Sequence, residues 1–383
     1  MKKLGAFLIM LSVAAGMQSQ DKASLLSRMN EKDILNHIDV GVNAGTMGIG
    51  VDVAVPVGKY VRVRAGYNYM PRFCIHSDFS VQTSNGGGIG GSIQKFINKK
   101  DKIYDKLEQY NIDITDPGFS QQKACLDKIT NGSLQLKDYV TMGLKPNLHQ
   151  FKFLVDVMPF KNNKHWSFTA GFFVGPSDMA EACNLDSETA LLEAVDAYND
   201  FYIKYISSGK DIGFGNDNSP VSGEIPEITK VLTDNGIAGF KLGQFKDGDQ
   251  AIMVPGKGGV ARAEMRVNKV RPYFGIGYNT ALSKNEKWKL TVDAGVMILG
   301  KPGVYVNNVY KINTSLIDTA NEYYDIIRPN ADWTDYVVDM PLQNVNMVTD
   351  LHNISGKVGD MAKTLSKFKA YPNISVSVSY RIF

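Results

Sequence analysis

The sequence predicts an all-β membrane fold: an eight-stranded, antiparallel, up-and-down transmembrane β-barrel with long, partly helical extracellular loops. Three observations predict it. Eight stretches between Ile38 and Phe383 alternate apolar and polar residues. Their connections switch between tight turns and very long loops, the rhythm of a barrel with short turns at one end and large loops at the other. No run of eighteen apolar residues follows Gln20, so strands are the available means of crossing hydrocarbon.

The chain opens on Lys2 and Lys3, an apolar stretch from Leu4 to Gly16, and small or polar residues to Gln20. That pattern predicts a cleaved secretory signal over 1–20, followed by a periplasmic tail over 21–37 and the barrel over 38–383. Removing the two signal lysines takes the formal charge from +3 to +1. With no basic block in addition, nucleic acid is excluded as an expected partner.

In the first strand Ile38, Val40, Val42 and Ala44 alternate with Asp39, Gly41 and Asn43. After a small turn near Thr46, Ile49, Val51, Val53 and Val55 alternate with Gly50, Asp52 and Ala54. Pro56-Val57-Gly58 then reads as a three-residue connection with glycine at the left-handed position. The third strand sets Val61, Val63, Ala65, Tyr67 and Tyr69 against Arg62, Arg64, Gly66 and Asn68. If Val55 pairs with Lys59, Asp52 lies opposite Arg62 and diagonal to Arg64.

The fourth strand places Phe151, Phe153, Val155 and Val157 on one face, with Lys152 and Asp156 on the other. Lys161-Asn162-Asn163-Lys164 turns the chain into Trp166, Phe168, Ala170 and Phe172. The sixth strand, Arg271-Pro-Tyr-Phe-Gly-Ile-Gly-Tyr-Asn279, is joined by Ser283-Lys284-Asn285-Glu286 to a seventh carrying Trp288, Leu290, Val292 and Val296 outward, against Lys289 and Asp293. Asn373 to Phe383 is the last. Trp166 and Trp288 are the first outward residues after short turns, the position of a membrane-interface aromatic girdle.

The secretion signal, the eight segments, the Pro-Tyr-Phe-Gly-Ile-Gly-Tyr strand and the terminal Phe383 together resemble the small outer-membrane barrels of the OmpA and OmpW kind, in particular barrel-domain proteins with enlarged loops. The resemblance implies residence among outer-membrane lipid and recognition by the barrel-assembly machinery. One departure stands out. The family's terminal signal has an aromatic two places before the final residue; here that place is Arg381 and the aromatic is Tyr380.

Three connections are large, at about 71–146, 176–269 and 301–372. Loops of this length are functional or disordered, and helical patterning favours order. Stripes starting at Ser92 (to Tyr110), at Asp186 or Ser187 (Leu191, Val195, Tyr198, Tyr202, Tyr205), over Thr314–Ile327 and over Ser355–Phe368 predict four amphipathic helices. Packing on one another as an external cap accounts for them more economically than lying on the membrane surface.

The inward charges are the main candidate chemistry: Asp39, Asp52, Asp156 and Asp293 against Arg62, Arg64, Lys152, Arg271 and Lys289. They can line a polar pore, or neutralise one another in an interior that eight strands leave too thin for open water; the second is the expectation. Gly45-Thr-Met-Gly48-Ile-Gly50 has dinucleotide spacing but no following helix. Gly86 to Gly91 precedes a helical stretch, and reads as a lead-in more readily than as a phosphate cradle. His149 faces outward near the loop-side rim, yet no motif joins it to a serine or an oxyanion hole, so no catalytic residue is expected. His37, His76, His165 and His352 lack metal-ligand spacing, and neither metal nor cofactor is expected. Cys74, Cys125 and Cys183 fall in the loops, where Cys74 with Cys125 forms a staple or all three stay unpaired.

The expected role is non-enzymatic: surface binding or adhesion, or a structural part of the envelope. Loop aromatics (Tyr198, Phe201, Tyr202, Tyr205, Tyr323, Tyr324 and Trp333) either meet an extracellular glycan or protein or form the cap's own core. A narrow channel for small polar or amphipathic solutes is the alternative, and a lipid-modifying hydrolase the third reading.

Overall fold

A computed structural model describes residues 34–84, 86–91, 94, 127, 136–202, 236–312, 337–354 and 356–382. The expected signal at 1–20, Cys125, nearly all of the stripe after Ser92, the whole stripe over 314–327, and Tyr205, Tyr323, Tyr324 and Trp333 lie outside the described residues.

The chain runs through β1 (Asp39–Gly45), β2 (Gly48–Gly58), β3 (Val61–Tyr69), β4 (Ile75–Ser80) and β5 (Gln82–Thr83). It continues through β6 (Tyr139–Pro146), β7 (His149–Val157), β8 (Trp166–Val174), β9 (Asp178–Asn184) and helix α1 (Thr189–Tyr202). Next come β10 (Ala238–Phe245), β11 (Gln250–Met253), β12 (Arg262–Arg266), β13 (Val270–Ala281), β14 (Trp288–Ile298), β15 (Gly303–Val306) and β16 (Val309–Ile312). The last are β17 (Val337–Leu342), β18 (Val345–Asn346), β19 (Leu351–His352), helix α2 (Gly356–Lys367) and β20 (Ala370–Arg381).

Strands β1-β2-β3-β7-β8-β13-β14-β20 close into a barrel of eight antiparallel strands, with β20 hydrogen-bonded back to β1. The alternation in sequence becomes an inside and an outside. Val42 is 63% exposed, Phe151 57%, Phe274 60% and Ile374 56%, whereas Asp156 between two outward valines is fully buried. A closed wall with grease outside and ions inside is the arrangement hydrocarbon demands, because the ladder of strands closes on itself and leaves no open edge in the ring. Among the described residues no helix is long and apolar enough to cross a membrane.

One turn differs from the sequence expectation. Between β2 and β3, Pro56 pairs with Arg62 and Gly58 with Val61, with an irregularity between Pro56 and Gly58. The turn is therefore Lys59-Tyr60, and Val57 bulges outward, because Pro56 has no N–H to give the ladder and Gly58 accepts a φ of +152°. Asp52 consequently sits opposite Gly66, not Arg62. At the other end of the barrel, among the long loops, β1 and β2 meet in a tight turn at Thr46-Met47 with Gly48 at φ +86°. Tight turns thus occur at both ends.

The loops form a cap that is mainly β-sheet, which corrects the expectation of helices packed on one another. One six-stranded sheet has the order β18-β15-β12-β9-β6-β4. Its strands β15-β12-β9-β6-β4 repeat the barrel order β14-β13-β8-β7-β3, because each of these five continues a barrel strand after a break of a few residues, and β18 adds to the β15 edge. Bonds at the breaks keep the ladder running: Met70 N–H to Leu148 O, Asn147 N–H to Met179 O, and Val267 N–H to Ser177 O. The barrel wall therefore extends past its rim on one side. A second sheet, β17-β16-β11-β10-β19 with β5 on β10, faces it. Phe79, Val140 and Val306 from the first sheet share a core with Phe240, Ile252 and Val309 from the second. Helix α1 adds Leu192, Val195 and Tyr198 to that core, and α2 adds Ala362.

Candidate functional site

The candidate site is the lumen, where strand parity delivers the polar residues. Arg64 on β3 lies at its centre. Its guanidinium reaches Asp156 of β7 (Nη2 to Oδ1, 2.8 Å) and Asp293 of β14 (Nη1 to Oδ2, 2.6 Å). Strands β3 and β14 stand four places apart in a ring of eight, so this side chain spans the lumen from wall to wall. Thr169 Oγ1 donates to the same Asp156 oxygen at 2.8 Å, and Arg62 Nε donates to its other oxygen at 2.9 Å. Arg62 also donates to Asn279 Oδ1, which accepts from Thr291 as well.

A second chain of contacts crosses β3, β1, β2 and β7. Asn68 donates to Asn43 at 3.0 Å, Asn43 donates to Asp52 at 2.9 Å, and Asp52 pairs with Lys152 at 2.6 Å. Gly66 makes this possible. A Cβ there collides with Asp52 Oδ1 and comes within 2.9 Å of Lys152 Cε. At the short-turn mouth Asp39 collects Lys289 (2.7 Å), Arg381 (3.7 Å) and His37 (3.7 Å). Ions removed from water are costly, and only multiple partners for each make such a lattice tolerable.

Toward the long-loop end the lumen turns apolar. Met47, Leu148, Leu154, Phe173, Tyr273 and Met297 pack together, with cap residues such as Met265 and Leu299 above them. Met47 comes from the tight β1–β2 turn, is 1% exposed, and its sulfur accepts from Gln150 Nε2 at 3.7 Å. Tyr273 lies across two glycines: a Cβ at Gly275 falls 2.6 Å from its hydroxyl oxygen, and one at Gly295 falls 2.6 Å from Cζ. Phe173 meets the Tyr273 ring edge-on at 5.3 Å.

Of the charges singled out in the sequence, Asp39, Asp52, Arg62, Arg64, Lys152, Asp156, Lys289 and Asp293 all join these inner contacts. Arg271 does not. It is buried at the long-loop end, where it donates to the carbonyls of Asn268 and Pro176 and to Gln150 Oε1 at 3.0 Å. It holds the roots of the second large loop together. Trp166 and Trp288 are exposed at the short-turn end, each beside a tyrosine: Tyr278 at 5.1 Å and Tyr380 at 4.9 Å.

Sequence reasoning missed Arg381, the uncharged relays Asn43, Asn68, Thr169 and Asn279, and the apolar plug. Arg381 was open to discovery, since outward Tyr380 and Ile382 leave it the inward face, directly opposite Asp39. Elsewhere the structure answers smaller questions. Asp138 accepts the Gly90 N–H at 2.9 Å, placing a carboxylate where a bound phosphate would be needed. The Gly45–Gly50 cluster is the β1–β2 hairpin. Tyr198 is wholly buried in the cap core and donates to Gly236 O. His149 is half-buried opposite Tyr69 on β3. Cys74 and Cys183 are free thiols. Among the described residues no His, Cys, Asp and Glu cluster is suited to a metal ion.

No protein-family model and no curated protein matches the sequence. Two solved structures of Acinetobacter baumannii proteins, CarO2 and CarO, resemble the chain at 11% identity. The matches cover 90% and 91% of this chain and 98% and 99% of those chains, with TM-scores of 0.33 and 0.31. Similarity at that level carries no argument about function, and the fold rests on the closed ladder of strands.

Proposed function

We propose that this protein is a bacterial outer-membrane barrel whose lumen is closed, and that it serves as the anchor of its β-sandwich cap. In this reading the cap stands outside the cell, the opposite end, with the β2–β3, β7–β8 and β13–β14 turns and both termini, faces the periplasm, and the chain is akin to the small barrels of the OmpA and OmpW kind. The role is surface binding or envelope structure, not catalysis. The carrying observation is the Arg64–Asp293 contact between opposite walls. A guanidinium and two carboxylates lie across the bore, and apolar side chains fill the segment beyond them. An eight-stranded barrel has an interior about as wide as the side chains that fill it.

Planar-bilayer recording tests the reading. The purified chain, inserted as a barrel whose gel migration changes on boiling, is expected to give no discrete conductance steps. Regular steps whose ion selectivity inverts in Arg62→Glu overturn it in favour of a narrow channel.

A further inference from the structure

The short-turn rim of the barrel carries charge that the lumen does not use. Its three turns, 57–60, 158–165 and 282–287, hold Lys59, Lys161, Lys164, Lys284 and Lys287, all exposed, against one carboxylate, Glu286. The turns thus carry four net positive charges, with histidine taken as neutral. On the turn between β7 and β8, Pro159, Phe160, Lys161, Asn162, Asn163 and Trp166 line an open depression of about 670 Å³. Lys164 stands beside it, its ammonium 5.3 Å from the centre of the Tyr60 ring on the adjoining turn. Below the depression the outer wall continues as Val155, Val157 and Phe168, each at least 40% exposed.

These features have one chemistry in common. Lysine ammoniums and asparagine amides are donors for a phosphodiester. Trp166 and Phe160 are exposed at the level where aromatic rings meet lipid headgroups. The apolar wall beneath is where acyl chains would lie. We infer that this depression is a binding site for an anionic phospholipid, with its phosphodiester at Lys161, Asn162 and Lys164 and its acyl chains along Val155, Val157 and Phe168. The inference rests on the membrane-barrel reading and deepens it: the basic rim selects acidic lipid on the short-turn side. Positive charge near such a surface is favoured, and among the described residues of the three turns Glu286 alone offsets it.

Native mass spectrometry of the full mature chain in neutral detergent tests this, with phosphatidylglycerol and phosphatidylcholine of equal chain length as probes. The wild type is expected to retain phosphatidylglycerol in preference to phosphatidylcholine. The triple variant Lys59→Gln, Lys161→Gln, Lys164→Gln should lower that preference on the order of tenfold, while Lys284→Gln with Lys287→Gln, on the turn that adjoins from the other side and does not line the depression, preserves most of it. Equal retention of the two lipids by the wild type overturns the site, as does a preference unchanged in the triple variant. Displacement by glycerol 3-phosphate at matched concentration also overturns it, by showing a site for free phosphate esters. Heat-modifiable migration is followed in every sample. A chain that never forms the heat-modifiable barrel overturns the membrane reading along with the site, whereas a folded barrel without lipid preference overturns the site alone.

Discussion

Arg64 and Asp293 are 229 positions apart in sequence and meet across the full width of the barrel at 2.6 Å. Neighbouring-strand pairs such as Arg62 with Asp156 can form in any hairpin-like intermediate. This pair can form only when β14 has come round to face β3, so it reports closure of the ring.

Removing Arg64 is therefore expected to be among the most damaging single changes. Arg64→Ala leaves Asp293 without its ionic partner and Asp156 with Arg62 alone. Stranding a buried charge costs about 3–5 kcal/mol. Urea unfolding of the vesicle-inserted protein, followed by loss of the heat-modifiable band, reads the change. Asp293→Asn in the same background should recover part of it, since the stranded charge is then gone; strictly additive losses would show that the two side chains are not coupled.

The plug gives a steric test. Tyr273 occupies the space that side chains at positions 275 and 295 would fill. Gly295→Ala forces the ring aside and loosens its edge-on contact with Phe173, at a cost of about 1–3 kcal/mol. Tyr273→Phe keeps the ring and loses only the 3.4 Å bond from Asn373 to its hydroxyl, so a smaller loss is expected. Equal losses in the two variants would mean that the hydroxyl, not the fit over glycine, governs the site.

What could be read in the sequence followed the solvent on each side of the strand. Barrel residues face lipid on one side and ions on the other, and so Val40 to Ala44 or Phe151 to Val157 print a period of two. Cap strand β10 has no such contrast: Ala238, Gly239 and Phe240 are all buried, and its apolar run resembles any core segment. Helix α1 was legible because its Leu191, Val195 and Tyr198 stripe faces one core while Asp200 faces out. The Asp52 register failed for a local reason: the turn closes at Lys59-Tyr60 and Val57 bulges, which together move each partner by four places and so preserve parity while changing the pairing. The span from Arg64 to Asp293 was hidden altogether, since alternation tells which residues point inward and not which of them meet.

Met47 links stability to the proposed closure of the lumen. Its side chain descends from a turn into the apolar plug and is almost wholly buried. Met47→Ala is expected to cost about 2–5 kcal/mol, scaling with the space left behind. The lattice around Arg64 still blocks the bore, so planar bilayers should remain silent. Conductance steps in this variant would move the barrier from the ion lattice to the plug.

Acidity should act on the cap through Asp196. This carboxyl on α1 is half-buried, and that burial, with Asp200 and Glu193 on the same helix, lifts its pKa from an ordinary 3.8 to about 7, while Lys257 opposes the shift. Tyr310 is lifted as well, by burial and then by Asp200 and Asp196. A carboxyl that holds its proton more tightly in the folded cap than in the unfolded chain favours folding at low pH. Stability should thus decline as pH rises from about 4 to about 7 and stay level above that, the reverse of a carboxylate held by salt bridges. Because the group is partly open to solvent, the change is on the order of 1 kcal/mol. Hydrogen exchange of α1 amides at pH 5, 6 and 8, corrected for intrinsic rates, should show the decline in the wild type. Asp196→Asn should show none and match the protonated form throughout. A wild-type profile that is flat, or that rises with pH, would mean that Lys257 holds the carboxylate ionised in the folded cap.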